Sequence, residues 1–132
     1  MLHSLKEKYL SVPSIDSRPF MESDETVGFR LEMLTFLPVS EVMQRSAEVR
    51  SAVRSLHEAG FCHGDLTPSN VMQRDDGGIV LIDFGYAGET GKEVAQCIPD
   101  WVYRCRTVYP AADEERVERF FVVWEYTKFG AI

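Results

Sequence analysis

The stretch from Leu56 to Gly85 restricts the fold of this chain more than any other part of the sequence. In the segment that leads into this stretch, apolar residues recur at helical spacing, at Val42, Val49, Val53 and Leu56. This repeat predicts a helix from about Ser40 to Ala59, and Gly60 supplies the left-handed residue that commonly ends a helix. The helix therefore delivers the chain to His63.

A β-hairpin is predicted shortly after this helix. The runs Val71–Gln73 and Ile79–Ile82 flank Arg74–Gly78, whose glycines suit a tight turn. The second strand ends at Asp83. A helix, a short polar loop and a hairpin thus follow one another from Ser40 to Asp83.

Three oxygen-bearing side chains fall at the junctions of this unit. Asp65 and Asn70 lie on the loop, and Asp83 lies at the end of the hairpin, so the turn of the hairpin brings all three near one another. Phosphoryl transfer depends on positioning and on neutralising phosphate charge with magnesium. Because carboxylate and amide oxygens suit that hard cation, the pattern indicates phosphate chemistry.

The order of the motifs resembles the protein-kinase-like superfamily. Residues 56–70 read L-H-E-A-G-F-C-H-G-D-L-T-P-S-N, and residues 81–85 read L-I-D-F-G. The resemblance implies that Asp65 and Asn70 are catalytic, with Asp65 as the base or nucleophile-orienting residue. It also implies that Asn70 and Asp83 bind Mg²⁺, that ATP is the phosphate donor, and that His63 braces the loop.

Two substitutions separate the loop from ordinary serine/threonine kinases. Gly64 replaces the arginine of the common H-R-D motif, and Thr67 replaces the usual lysine. The G-D form is similar to aminoglycoside and choline phosphotransferases and to the KEOPS-complex kinase, whose loop reads H-G-D-L-T-T-S-N. Pro68 departs from that last pattern, whereas the intact D-F-G favours the protein-kinase side. The closest subfamily stays open.

Alternating residues upstream of Pro38 predict a half-buried strand from Val27 to Leu37. The resemblance extends to this segment and implies an adenine-binding hinge that acts through backbone hydrogen bonds. In that interpretation Leu34 is the gatekeeper and Thr35, Phe36 and Leu37 form the hinge. An ordinary buried strand is the alternative.

The predicted fold class is α+β, a truncated protein-kinase-like fold with a mostly helical larger lobe. We expect one domain over residues 1–132, with a remnant of the smaller lobe at 1–37 and a larger-lobe-like part at 38–132. A short helix is predicted over Leu2–Leu10 and a closing helix over Asp113–Phe129, with acidic residues 113–115 as its solvated, non-functional start. The closing helix has an apolar face of Val117, Phe120, Phe121 and Trp124. Neither a glycine-rich phosphate loop nor a third-strand lysine is recognised.

Charge and cysteine content narrow the class of partner and the compartment. The formal charge of −7 argues against direct nucleic-acid or anionic-membrane binding, which needs clustered Lys and Arg. Cysteines occur at Cys62, Cys97 and Cys105, an odd number without C-x-x-C spacing, which suits reduced thiols. Without a signal-peptide pattern or a membrane-length apolar run, the sequence predicts a cytoplasmic or nuclear location.

Two functions follow from the sequence. The first is an ATP- and Mg²⁺-dependent phosphotransferase, as a fragment or partner-dependent enzyme, that acts on a hydroxyl of an unknown protein or small molecule. The alternative is a catalytically inactive, pseudokinase-like module for nucleotide binding or protein interaction. A protein partner or self-association is expected in either case, because unpaired strand edges invite pairing.

Overall fold

The structure, a computed structural model, describes residues 12–13, 18, 20–28 and 32–128. The helices are α1 (Val39–Gln44), α2 (Ser46–Glu58) and α3 (Ala111–Lys128), and a 3₁₀ turn covers Pro68–Asn70. The strands are β1 (Phe20–Glu22), β2 (Glu25–Gly28), β3 (Thr35–Phe36), β4 (Phe61–Cys62), β5 (Val71–Gln73), β6 (Ile79–Leu81) and β7 (Gly88–Glu89).

The strands form small antiparallel sheets. β1 pairs with β2, β4 pairs with β7, and a three-stranded sheet has the order β3-β5-β6. In the last sheet β5 and β6 are the predicted hairpin, with Val71 opposite Leu81 and Gln73 opposite Ile79. This mixture of a few helices and small sheets confirms the predicted α+β class.

Buried side chains form two clusters, and the polar loop connects them. The first cluster joins α1, α2, the hairpin and α3 through Val42, Val49, Val53, Leu56, Val71, Leu81, Val117 and Phe121. The second comprises Cys62, Val94, Ile98, Val102, Tyr103, Val108 and Ala112. Leu66 belongs to the first cluster and Cys62 to the second, so apolar packing fixes residues on both sides of His63.

The predicted helix over residues 40–59 is two helices rather than one. α1 and α2 are separated at Arg45, whose φ of −104° and ψ of 33° are not helical. The Arg45 guanidinium donates to Gln73 Oε1 at 2.7 Å and to the Gly77 carbonyl, both on the hairpin. The break thus allows one side chain to join the helices to the β5–β6 turn. The predicted end is confirmed, because Gly60 has a φ of +93°.

The predicted strand over residues 27–37 is wrong in its middle. β2 ends at Gly28 and β3 begins at Thr35, while residues 32–34 have no regular structure. Met33 is 83% exposed, and Glu32 reaches across to Arg74 at 3.2 Å, so alternation here does not mark one buried face. Residues 29–31 lie outside the described part.

The other helices can be compared in part. α3 begins two residues before the predicted start, and Val117 and Phe121 on its apolar face are buried. The predicted end at Phe129, the side chain of Trp124 and the predicted helix over residues 2–10 lie outside what the structure describes. Among the described helices, none combines the length and apolar character needed to cross a membrane.

Candidate active site

His63 lies at the centre of the loop from His63 to Asn70, which we call the 63–70 loop. Its side chain is fully buried, its Nδ1 accepts the Asp65 backbone N–H at 3.0 Å, and its Nε2 lies 2.7 Å from the Ile82 carbonyl oxygen. Because a carbonyl can only accept, these partners assign the neutral ring with its hydrogen on Nε2. Burial lowers the pKa of His63, which favours the same neutral form.

This ring connects the two motifs that carry the predicted chemistry. Asp65 follows it on the loop, and Ile82, which it binds, directly precedes Asp83. The charges of Asp113, Asp65 and Asp83 all oppose the lowering of the His63 pKa. Phe84 packs against His63 with ring centroids 4.9 Å apart. The structure therefore brings the two aspartates around one buried imidazole.

Asn70 is oriented by hydrogen bonds on its side chain and its backbone. The Nδ2 group donates to the Asp65 carbonyl at 2.8 Å, and the Asn70 carbonyl accepts the Ile82 N–H at 2.9 Å. With the NH₂ group occupied, the amide oxygen is the side-chain atom left to bind a ligand.

Asp83 offers an exposed carboxylate at the end of the hairpin. Its φ of +62° is uncommon for a residue other than glycine, and such conformations concentrate at functional sites. An amide oxygen from Asn70 and carboxylate oxygens from Asp83 are the donor types that Mg²⁺ prefers. The residues present fit a magnesium ion.

Gly64 occupies a position that has no room for a side chain. Its φ is +88°, and a Cβ atom there would lie 2.8 Å from the Tyr103 hydroxyl and closer still to the Tyr86 carbonyl oxygen. Tyr103 itself donates to that carbonyl at 3.1 Å. The arginine of H-R-D could not occupy this backbone without moving the segment that follows D-F-G.

Asp113 is the functional residue that sequence reasoning missed. We predicted it in a solvated helix start, but its side chain is fully buried. One oxygen accepts the His63 N–H at 2.7 Å and lies 2.9 Å from His57 Nε2, and the other accepts the Gly64 N–H at 2.8 Å. A carboxylate from α3 therefore holds the backbone of the 63–70 loop.

The charge state of Asp113 follows from these bonds. Burial raises its pKa, but the hydrogen bonds from His57 and from the His63 and Gly64 amides outweigh burial and lower it overall. A sequence signal was available, because Asp113 precedes Val117 by four residues and so lies on the buried face of α3.

His57, Cys62 and Asp113 also place ligand atoms within 4.8 Å of one another. The carboxylate oxygens of Asp113 already accept hydrogen bonds from three donors, and burial raises the pKa of the Cys62 thiol to about 11. Because metals bind the thiolate, these side chains are better described as hydrogen-bonded to neighbours, Asp113 to His57 and Cys62 to Thr90, than as a metal centre.

The segment predicted as a hinge lies beside the 63–70 loop. In β3, Thr35 is opposite Gln73 and Phe36 is opposite Met72, so β3 pairs with the strand that begins directly after Asn70. Leu37 is buried, Leu34 is half-buried and Phe36 is 70% exposed. Within the described residues β3 is an edge strand, which leaves one side of its backbone available.

Comparison with known proteins finds similarity over most of these elements. The sequence profile of the protein kinase domain matches residues 20–112. The KEOPS complex subunit Bud32 of Pyrococcus abyssi is 39% identical over 92 residues, which cover 66% of this chain and 41% of that protein. Serine/threonine-protein kinase 16 of Mus musculus is 27% identical over 137 residues, covering 96% of this chain and 45% of the mouse protein. The chain thus spans less than half the length of these relatives.

Proposed function

Because the chain belongs to the protein kinase family, we propose that it is a phosphotransferase module that uses ATP and Mg²⁺ to phosphorylate a hydroxyl acceptor. The proposal includes a single domain over residues 1–132, with 1–37 as a smaller-lobe remnant and 38–132 as the larger-lobe part. Since the matched regions cover 41% and 45% of these two relatives, a partner or a further segment that completes the site is part of the proposal.

The observation that carries this proposal is the pair of hydrogen bonds made by His63. Its Nδ1 accepts the Asp65 N–H at 3.0 Å, and its Nε2 donates to the carbonyl oxygen of Ile82, the residue before Asp83, at 2.7 Å. Catalysis of phosphoryl transfer consists mainly of positioning and electrostatic stabilisation, and such a buried brace fixes both motifs relative to each other.

Each polar side chain has a role in the proposal. Asp65 accepts the proton of the acceptor hydroxyl or orients it, and general-base assistance of this kind contributes roughly 10²–10⁴-fold. Asn70 and Asp83 hold Mg²⁺, which when bound neutralises charge on the phosphate oxygens. Leu34 and the backbone of Thr35, Phe36 and Leu37 hold the adenine, which the edge position of β3 supports.

A thermal-stability titration with ATP or ADP and Mg²⁺ tests the nucleotide site. A ligand at a hundred times its Kd stabilises the folded state by about 2.7 kcal/mol, and we expect Asp83→Ala to lose that gain. Asp75→Ala removes an exposed carboxylate on the hairpin turn and serves as the matched control. No shift for the wild-type chain, or an undiminished shift in Asp83→Ala, would contradict the proposed site.

A further inference from the structure

Arg74 directly follows β5 and connects the hairpin with two other parts of the chain. Its backbone N–H donates to the Gly78 carbonyl at 2.9 Å, and its carbonyl accepts the Gly77 N–H at 2.9 Å. Both bonds close the turn between β5 and β6, where the Gly77 carbonyl also accepts a bond from Arg45. The half-buried Arg74 side chain therefore extends from a backbone that hydrogen bonds fix in place.

The Arg74 guanidinium contacts two segments that precede it by 42 and 62 residues. Its Nε lies 3.2 Å from Glu32 Oε1 and 3.3 Å from Oε2, and a terminal nitrogen donates to the Val12 carbonyl. The Arg74 and Glu32 side chains are 19% and 22% exposed, so solvent ions screen their attraction less than they screen a fully exposed pair. Val12 is fully buried and belongs to the first apolar cluster. Arg74 thus connects Glu32 to the hairpin and to the core.

Glu32 begins the segment that the proposed adenine site needs, residues 32–37, which we call the 32–37 segment. Its strand β3 is two residues long, and both residues, Thr35 and Phe36, are exposed. Leu37 at the far end is buried in the first apolar cluster. Because few buried apolar contacts mean low local stability, the position of this segment depends on its pairing with β5 and on the contacts at its two ends.

We propose that Arg74 is a positioning residue for nucleotide binding, which fixes the start of the 32–37 segment through Glu32 so that the hinge backbone faces the adenine. This inference rests on the proposed function, because it concerns the same nucleotide site. β5, which Arg74 follows, begins directly after Asn70. Arg74 therefore sets the hinge residues relative to a residue proposed to bind Mg²⁺.

The chemistry of arginine suits this position better than that of lysine. A guanidinium presents five N–H donors in one plane, and here Nε serves Glu32 while a terminal nitrogen serves Val12. A lysine has a single nitrogen at the end of a flexible stem, so it keeps the charge without reproducing both contacts. Arg74→Lys should therefore bind nucleotide with an affinity between those of the wild type and Arg74→Ala.

Binding of ADP with Mg²⁺ to the full 132-residue chain tests this inference without any turnover. When only a fraction of the protein is competent to bind, the apparent Kd rises by the inverse of that fraction. We expect Arg74→Ala to weaken ADP binding roughly tenfold, as for a segment in place about a tenth of the time. Glu32→Gln, which removes the charge and keeps the size, should act in the same direction. Arg54→Ala, which removes an exposed arginine of α2, is the matched control and should leave the Kd unchanged.

Amide hydrogen exchange locates the effect in the absence of ligand. Arg74→Ala should speed exchange in the 32–37 segment by roughly tenfold, while the amides of α3 keep their protection. Equal acceleration in both places would show that Arg74 only stabilises the fold, and it would overturn the inference. Circular dichroism checks that each variant is folded before its Kd is compared.

Exchanging the two charges provides a rescue. Arg74→Glu and Glu32→Arg each place like charges side by side, and each should weaken ADP binding more than Arg74→Ala does. The double variant restores opposite charges and should recover part of the affinity, whereas additive losses would contradict a direct coupling. If the wild type bound no ADP, the proposed function would fail together with this inference. ADP binding that is unchanged in both Arg74→Ala and Glu32→Gln would overturn the inference alone.

Discussion

At the scale of single residues, the packing around Gly64 explains why this loop has glycine where the common H-R-D motif has arginine. Its backbone has a positive φ and lies against the Tyr86 carbonyl and the Tyr103 hydroxyl. The close approach lets the segment after D-F-G pack directly on the loop that carries Asp65. The glycine is therefore required by packing, and its presence is compatible with an intact site.

Replacing Gly64 with alanine should destabilise the chain by about 2–4 kcal/mol, because backbone strain and a steric clash add together. Gly77→Ala is the matched control, since Gly77 has a φ of +90° but open space around its missing Cβ. In that control only the backbone strain should lower the free energy of unfolding, by about 1–2 kcal/mol. Urea unfolding measures both, and equal losses would show that the clash at Gly64 has no consequence.

Asp113→Ala should lower the free energy of unfolding by about 3–5 kcal/mol, because it removes the acceptor of two buried backbone N–H groups and of His57. Asp113→Asn keeps one carbonyl acceptor and should cost less. Glu115→Ala, which removes an exposed carboxylate of the same helical turn that pairs with the exposed Arg104, should cost less than about 1 kcal/mol. Denaturant unfolding of the three variants tests this order, and a neutral Asp113→Ala would contradict the anchoring role.

The residue-scale predictions from sequence depended on how far apart the partners lie along the chain. Asp65, Asn70 and Asp83 fall within one helix–loop–hairpin unit, so their juxtaposition followed from local structure. Asp113 reaches His63 across 50 residues. Only its place on the apolar stripe of α3 hinted at burial, and acidic residues at a helix start are usually solvated.

At the scale of elements, Arg45 joins the helices to the hairpin. Arg45→Ala removes its hydrogen bonds to Gln73 and Gly77, together with an exposed ion pair to Glu48, and should lower the free energy of unfolding by about 1–3 kcal/mol. Arg54→Ala, an exposed arginine of α2, is the control and should change it by less than about 0.5 kcal/mol. If the two variants unfold at the same denaturant concentration, the break between α1 and α2 has no anchoring role.

The elements that could be predicted were those with local signals. Glycines at a turn and at a helix end marked the hairpin and the end of α2, and both were confirmed. Helical periodicity did not reveal the break at Arg45, whose partners on the hairpin lie 28 and 32 residues away. Around Glu32 and Met33 the alternating pattern predicted a strand that is not there. Glu32 forms a long-range ion pair with Arg74, and Met33 is exposed.

At the scale of the whole molecule, stability should depend on pH through His63. Burial lowers its pKa below the ordinary 6.5, so between the folded value and 6.5 the unfolded chain binds more protons. Stability is then fully present above pH 6.5 and falls below it, by at most about 1.4 kcal/mol per pH unit. His63→Gln should have a lower free energy of unfolding at every pH. Its free energy of unfolding should not show the additional fall below pH 6.5. Parallel curves for the two proteins in urea unfolding at pH 5.5–7.5 would contradict the neutral brace.

The described elements form the surroundings of the motifs: α2 and the hairpin carry them, α3 anchors the loop, and β3 lies beside it. The matched regions cover less than half of each of these two relatives, so the rate that this chain reaches alone is a separate question from the site proposed for it. Binding of nucleotide and transfer of phosphate therefore need to be measured separately.

Transfer of labelled γ-phosphate from ATP, to a serine peptide and to water, tests the central claim most directly. With Mg²⁺ present, the wild-type chain should transfer phosphate roughly 10²–10⁴-fold faster than Asp65→Asn, while both proteins bind nucleotide equally. Nucleotide binding without transfer by the wild type would instead favour an inactive nucleotide-binding module. Equal rates in the wild type and in Asp65→Asn would contradict the role assigned to Asp65.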